Sequence, residues 1–294
     1  MPSLNAENLE FCKQKFQLSY HVDFVFECYQ TVGFQGKDVL EVGGSLPEGF
    51  VLDYLGAKSW SCLENPEYDL SLMEVGGGWQ QASAFKGMSP TNLADFSFEN
   101  RSLGRYNLFL AKIEDLPNQH YGKYDLVFSI AAFEHIHKLP QALEKMYLAL
   151  KPGGKLFSMF APIWSSRYGH HLPTLTDKSG RTIDRDKNSL IPPWGHLIMR
   201  PPELCRHLYQ LTDRETSDTI VYYVYNSDHI NRFFAEDYIN FIEQSSFRSI
   251  RVQHPPIFES PITPELQQQL ERLYPQRSQF SNDGFIVVLE RPLD

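Results

Sequence analysis

Residues 37–49 read KDVLEVGGSLPEG. Asp38, Val39, Leu40, Glu41 and Val42 form a short apolar run rich in branched residues, and the run ends at a glycine pair, Gly43 and Gly44. A strand buried in a parallel sheet has this composition. The acidic residue and the glycines that follow suit a tight turn beneath a ligand, because ligands of open α/β sheets gather at the carboxyl ends of the strands. This turn is the first candidate site.

Outward from it, strand and helix alternate. Residues 5–33 follow helical spacing, with Phe11, Leu18, Val22, Val25 and Cys28 apolar, and Gly33 and Gly36 end the segment. Residues 50–55 read as a short helix and 59–63 as a second strand that ends at Glu64. Residues 65–104 are polar and glycine-spotted and read as an inserted loop or lid. Residues 106–110 and 124–130 are further strands, 139–150 an amphipathic helix, and 155–161 a fifth strand fed by Pro152, Gly153 and Gly154. Repetition of this order predicts a mostly parallel sheet with right-handed crossovers and helices on both faces. Beyond it the pattern changes. Residues 162–202 are rich in Pro, Gly, His, Trp and Arg and predict an irregular cap. Residues 201–211, 237–244 and 263–274 read as helices, 219–225 as β-prone, and 249–254 and 285–289 as strands that finish the sheet. The expected organisation is an N-terminal helical segment (1–35), a binding core (36–161), a cap (162–235) and a C-terminal part completing the sheet (236–294).

The 294 residues carry a net charge of −9 and no Lys/Arg run, which argues against nucleic acid as a substrate. Aromatic residues make up 14%, with 21 Phe and 15 Tyr, and predict a Phe-rich core with some rings free to line an organic pocket. Four cysteines lie far apart without a CxxC pair, so neither a zinc ribbon nor a disulfide scaffold is expected, and a reducing, cytoplasmic setting fits. The stretch MPSLNAENLEF has no basic region followed by an apolar one, and no apolar run reaches the ~20 residues of a membrane helix.

Taken in order, the strand with its glycine turn, the acid at the end of the second strand and the block YDLVFSIAAFEHIHKLPQALEKMYLALKPGGKLF (124–157) resemble the class I S-adenosylmethionine-dependent methyltransferases, nearest to the ubiquinone- and menaquinone-biosynthesis subgroup. The resemblance spans roughly residues 36–161 and implies a Rossmann-like fold with S-adenosylmethionine as cofactor. It implies that Glu41 helps hold the methionyl amino group and that Gly43, beside Gly44, lets the backbone approach the cofactor. It places Glu64 at the ribose hydroxyls, Ile113 and Glu114 beside adenine, and Ser129 near the methionyl part. The family run is acidic-x-Gly-x-Gly-x-Gly, and Ser45 and Pro47 depart from it here.

Methyl transfer from a sulfonium is an in-line displacement, so positioning and exclusion of water matter most. A base is required where the acceptor holds a proton, and histidine titrates in the useful range. His170, His171 and His196 follow the fifth strand and are the candidate bases, which favours a small-molecule oxygen acceptor. A second reading gathers His135 or His137, His170, His171, His196 and Glu134 around a metal, but only the pair His135-x-His137 has suggestive spacing, and no metal is assigned. Structural histidines are the third reading. A nicotinamide-dependent oxidoreductase would share the strand, turn and distal acid yet needs the later glycines of GxGxxG. A non-catalytic cofactor-binding relic is the remaining alternative, motivated by the altered turn.

Overall fold

The computed structural model describes residues 3–65 and 101–293. Among the described residues, eight segments join one sheet: β1 (Asp38–Val42), β2 (Ser59–Glu64), β3 (Arg101–Leu103), β4 (Tyr106–Leu110), β5 (Tyr124–Ile130), β6 (Leu150–Phe160), β9 (Arg248–Gln253) and β10 (Phe285–Glu290). Two more, β7 (Leu175–Thr176) and β8 (Thr182–Ile183), make a small hairpin outside it. The sheet order is β3-β4-β2-β1-β5-β6-β10-β9. The five central strands β4, β2, β1, β5 and β6 run parallel, β10 runs antiparallel between β6 and β9, and β3 runs antiparallel to β4 at the other edge. A nicotinamide-binding sheet of order 3-2-1-4-5-6 has a parallel strand where the reversed β10 stands. The mostly parallel, Rossmann-like α/β fold expected from the sequence is present.

The side-chain period of two explains how the sheet is covered on both faces. Val39 of β1, Trp60 of β2 and Phe128 of β5 point to one side, where they meet Val22, Val25 and Cys28 of α2 (His21–Thr31). Leu40, Val127 and Leu156 point to the other, against Leu143 and Met146 of α3 (Leu139–Ala149) and Tyr238 and Ile242 of helix Ala235–Glu243. A third apolar cluster belongs to the cap. Trp164, Trp194, Leu204, Ile220 and Tyr223 pack there with Leu270 and Phe280 from the C-terminal part of the chain. Among the described residues, no helix is long and apolar enough to cross a membrane.

Several elements differ from the sequence reading. The helix expected over 5–33 is two, α1 (Leu9–Phe16) and α2, separated where Gln17 turns left-handed (φ 55°). Residues Phe50–Tyr54 form a π-type turn, with the Leu55 N–H bonded to the Phe50 carbonyl. The β-prone stretch 219–225 lies inside helix Arg214–Asn226. There Asp213 caps the first turn by accepting from the Thr216 N–H, and Ile220, Tyr223 and Val224 bury at helical spacing. Tertiary burial outweighs the strand preference of β-branched and aromatic residues. Most of the expected insertion, residues 66–100, lies outside the described residues.

Phe128 lies at the middle of the sheet, fully buried, with its ring 5.3 Å from Phe34, 5.9 Å from Trp60 and 6.1 Å from Phe157. Phe128→Ala should lower the unfolding free energy in urea by about 3–5 kcal/mol. Tyr222→Ala, at a largely exposed helical position, should change it by less than about 0.5 kcal/mol.

Candidate functional site

At the carboxyl end of β1, the Glu41 carboxylate is buried beneath the turn that follows. The Trp60 indole N–H donates to its Oε2 at 2.6 Å, and the Leu46 N–H donates to both oxygens at 3.0 and 3.2 Å. The Leu46 carbonyl in turn accepts from the Tyr106 hydroxyl at 2.8 Å. A buried carboxylate thus draws residues 43–46 back over the strand, and β2 and β4 hold them there. Gly43 has φ 85°, and a Cβ there would stand 2.4 Å from the Ala132 methyl, so only glycine fits against the turn after β5. Ser129, at the end of β5, donates to the Val42 carbonyl at 2.9 Å and ties the two strand ends together. The Cβ of a residue replacing Gly44 would approach Glu41 Oε1 to 3.0 Å.

Glu64 ends β2 on the same edge and is likewise buried. Ile113 is buried in a 3-10 turn, Ile113–Asp115, next to the end of β4. Glu114 shares that turn, and its carbonyl meets the Gln141 side-chain amide at 3.4 Å. The edge therefore gathers Glu41, Gly43, Gly44, Glu64, Ile113, Glu114 and Ser129 from four strand ends. Two buried carboxylates beside a glycine turn suit a ligand that offers hydroxyl pairs and a cationic group. On that chemistry the residues present fit S-adenosylmethionine.

A cavity of about 340 Å³ opens at the carboxyl end of β6. Ala161 and Pro162 form its floor, Tyr20, Phe24 and Phe258 supply apolar walls, and Arg185 and Asp283 bring opposite charges. Burial raises the Asp283 carboxyl above the usual aspartate range, against a 2.6 Å hydrogen bond donated by Ser260. Glu134, in the turn Phe133–His135 that follows β5, is almost wholly buried. Burial pushes its carboxyl up to about 8, although the Ala161 N–H donates to it and the Arg185 charge opposes the shift.

The three candidate bases are not equivalent. His170 and His196 are buried inside the cap, with ring centroids 5.3 Å apart. His170 Nδ1 accepts from the Leu172 N–H at 3.2 Å, and His196 Nε2 meets the Trp164 carbonyl at 2.8 Å. Burial holds His170 well below the ordinary histidine value and His196 at about 4. His171 points elsewhere. One nitrogen of it lies within 4.8 Å of nitrogens from His135 and His229. The sequence reading named two members of this cluster and missed His229, which lies 94 residues from His135, a separation no spacing rule detects. It also missed Trp60, Tyr106, Arg185 and Asp283, for the same reason.

Burial and the neighbouring Glu64 charge raise the folded-state Glu41 pKa to about 7, above its unfolded value of 4.5. The folded state then holds the proton more tightly, so this contribution to stability is full below pH 4.5 and is lost as pH rises through about 7. Glu41→Gln, which keeps an acceptor for both N–H groups, should flatten the fall in unfolding free energy between those pH values. Urea melts across that range would check this, and an unaltered slope would mean that Glu41 is not the titrating group.

The sequence matches a family described as methyltransferase domain over residues 22–248. No curated protein sequence matches it. Among solved structures, an S-adenosylmethionine-dependent methyltransferase from Mesorhizobium loti is similar at 12% identity and a TM-score of 0.47, over 94% of this chain and 100% of that one. Haemonchus contortus phosphoethanolamine N-methyltransferase 2, solved with S-adenosyl-L-methionine, is similar at 11% identity and a TM-score of 0.44, over 92% of this chain and 52% of that one. Neither likeness bears on the acceptor, and the ubiquinone-type subgroup has no support beyond the sequence resemblance. The match covers well over half of the chain, which therefore belongs to the methyltransferase-domain family and uses S-adenosylmethionine as its cofactor.

Proposed function

We propose that the chain methylates an oxygen of a small organic acceptor bound in the cavity at the end of β6. The observation that carries this reading is the cavity itself. It pairs aromatic walls, Tyr20, Phe24 and Phe258, with two carboxylates, Asp186 and Asp283, and a guanidinium, Arg185, on the same sheet edge as the glycine turn. An acceptor with an apolar body and one polar substituent matches that lining.

Bound S-adenosylmethionine supplies a methyl group on a sulfonium, which departs as a neutral thioether. The protein's work is to orient, to exclude water and to move one proton. Glu64 accepts hydrogen bonds from the ribose hydroxyls, the Gly43-Gly44 turn leaves room for the methionyl part, and Ile113 and Glu114 border the adenine. Glu41 acts one step back by holding the turn in place. The acceptor oxygen forms its bond to the methyl carbon and gives up its proton to Asp283, whose raised pKa makes it a stronger base than an exposed aspartate. His170 and His196 are assigned to the cap's framework, because burial keeps both rings away from solvent and substrate alike.

Glu64→Ala should weaken S-adenosylhomocysteine binding by about 1–3 kcal/mol in calorimetric titration. Asp283→Asn should instead lower kcat by roughly 10²-fold or more while leaving that affinity within about twofold. Equal losses of turnover and cofactor affinity in Asp283→Asn would refute the base assignment. Methylation of a carbon or nitrogen in an acceptor screen would refute the oxygen assignment.

A further inference from the structure

Three imidazoles from three separate loops meet where the cap rests on the sheet. His135 follows β5, His171 follows β6, and His229 follows helix Arg214–Asn226. Their ring centroids stand 4.8 Å apart for His135 and His229, 5.0 Å for His135 and His171, and 6.2 Å for His171 and His229. One ring nitrogen from each lies within 4.8 Å of the other two. An ion at the centre of that triangle would reach the ~2.0–2.1 Å bond length of a zinc–imidazole contact if each ring moved inward by less than about 1 Å.

Hydrogen bonds to backbone carbonyls decide which nitrogens of two rings carry lone pairs. A carbonyl oxygen only accepts, so a ring nitrogen bonded to one must hold the proton. His135 Nδ1 bonds the His229 carbonyl, and His171 Nε2 bonds the Pro162 carbonyl at 2.6 Å. The lone pairs are therefore on His135 Nε2 and His171 Nδ1. Metal-bound histidines show this arrangement, with the second N–H given to a carbonyl that sets tautomer and ring direction. His171 also occupies the left-handed region (φ 51°), a conformation that costs a non-glycine residue energy and is concentrated at functional sites. The loops themselves are cross-tied. Asn231 donates to the Phe133 carbonyl at 2.7 Å and the Ile136 carbonyl at 3.1 Å, and the Glu134 carbonyl accepts from the Asn231 N–H at 2.9 Å.

We propose that His135, His171 and His229 bind one divalent metal ion of the zinc class, with at least one coordination position left open. Three imidazoles without a carboxylate favour a borderline ion over magnesium or calcium, which take oxygen ligands. The positive charge of Arg185 bears on His135 and His171 and opposes any cation there, so the imidazole bonds have to outweigh it. The site does not depend on which acceptor is methylated or on where its proton goes.

Untagged protein, stripped with a chelator and dialysed, would be titrated with Zn²⁺ against a chromogenic chelator. One equivalent should bind, and His135→Ala, His171→Ala and His229→Ala should each weaken binding by more than roughly 100-fold. His254→Ala, at an exposed position, is the control and should bind as the parent does. Because a core-facing substitution can unfold the cap, Co²⁺ added to the unaltered protein gives a second reading. Intense visible absorption of a four- or five-coordinate ion supports the site, and the weak bands of six-coordinate Co²⁺ overturn it. Failure of the unaltered protein to bind one Zn²⁺, or equal binding by all three variants, also overturns it. Cofactor binding measured in the same stripped samples separates that result from a failure of the methyltransferase reading.

Discussion

The site depends on one buried acid. A carboxylate taken out of water must find hydrogen-bond donors or be displaced from its position. Glu41 finds the Trp60 indole on the neighbouring strand and the Leu46 N–H four residues past Val42. The second of these bonds sets the path of the turn. It brings Leu46 back over β1, where its carbonyl takes the Tyr106 hydroxyl and its side chain is buried. Pro47 then offers its carbonyl to the Phe50 and Val51 N–H groups and starts the π-type turn. Ser45 and Pro47 stand where the run of the resembled family has glycines, and here the Glu41 side chain clamps the turn. Glycine is still obligatory at Gly43, where the end of β5 comes too close for a Cβ.

The clamp and the cap meet through β5. Ser129 fastens the end of β5 to the end of β1, and the next turn carries Glu134 and His135. The segment after helix Arg214–Asn226 lies along this turn and bonds it at His135, His137 and through Asn231.

The parallel strands were legible because burial on both faces demands unbroken runs of Val, Leu, Phe and Ile, and few other elements look like that. β4 and β5 agree with the sequence reading to the residue, and β1, β2, β9 and β10 to within one at either end. Glu41, Gly43, Glu64 and Ser129 were legible as positions, since the end of a strand is visible in the chain. What they bond to was not. Trp60 was an apolar residue in a strand until the sheet placed its indole N–H beside Glu41. The helix over 219–225 was hidden because Thr, Val, Ile and Tyr favour strands, and a single capping aspartate, Asp213, was the one local signal that opposed them. The cap histidines were legible as a group and not as individuals. A one-residue difference sends His170 into the cap core and His171 to the cluster with His135, and only three-dimensional packing separates them.

That separation bears on where proton chemistry can occur. An imidazole that exchanges protons with a substrate has to touch it and has to titrate near neutrality. His170 and His196 meet neither condition, since burial isolates both rings and keeps them neutral. Carboxylates behave in the opposite sense, because burial raises their pKa and so strengthens them as bases. At this sheet edge the same loss of water that disables the histidines makes Asp283 a better proton acceptor. Desolvation at the end of β6 thus supports Asp283 as the base in the proposed reaction, although histidine is the residue type that a reading of composition alone selects.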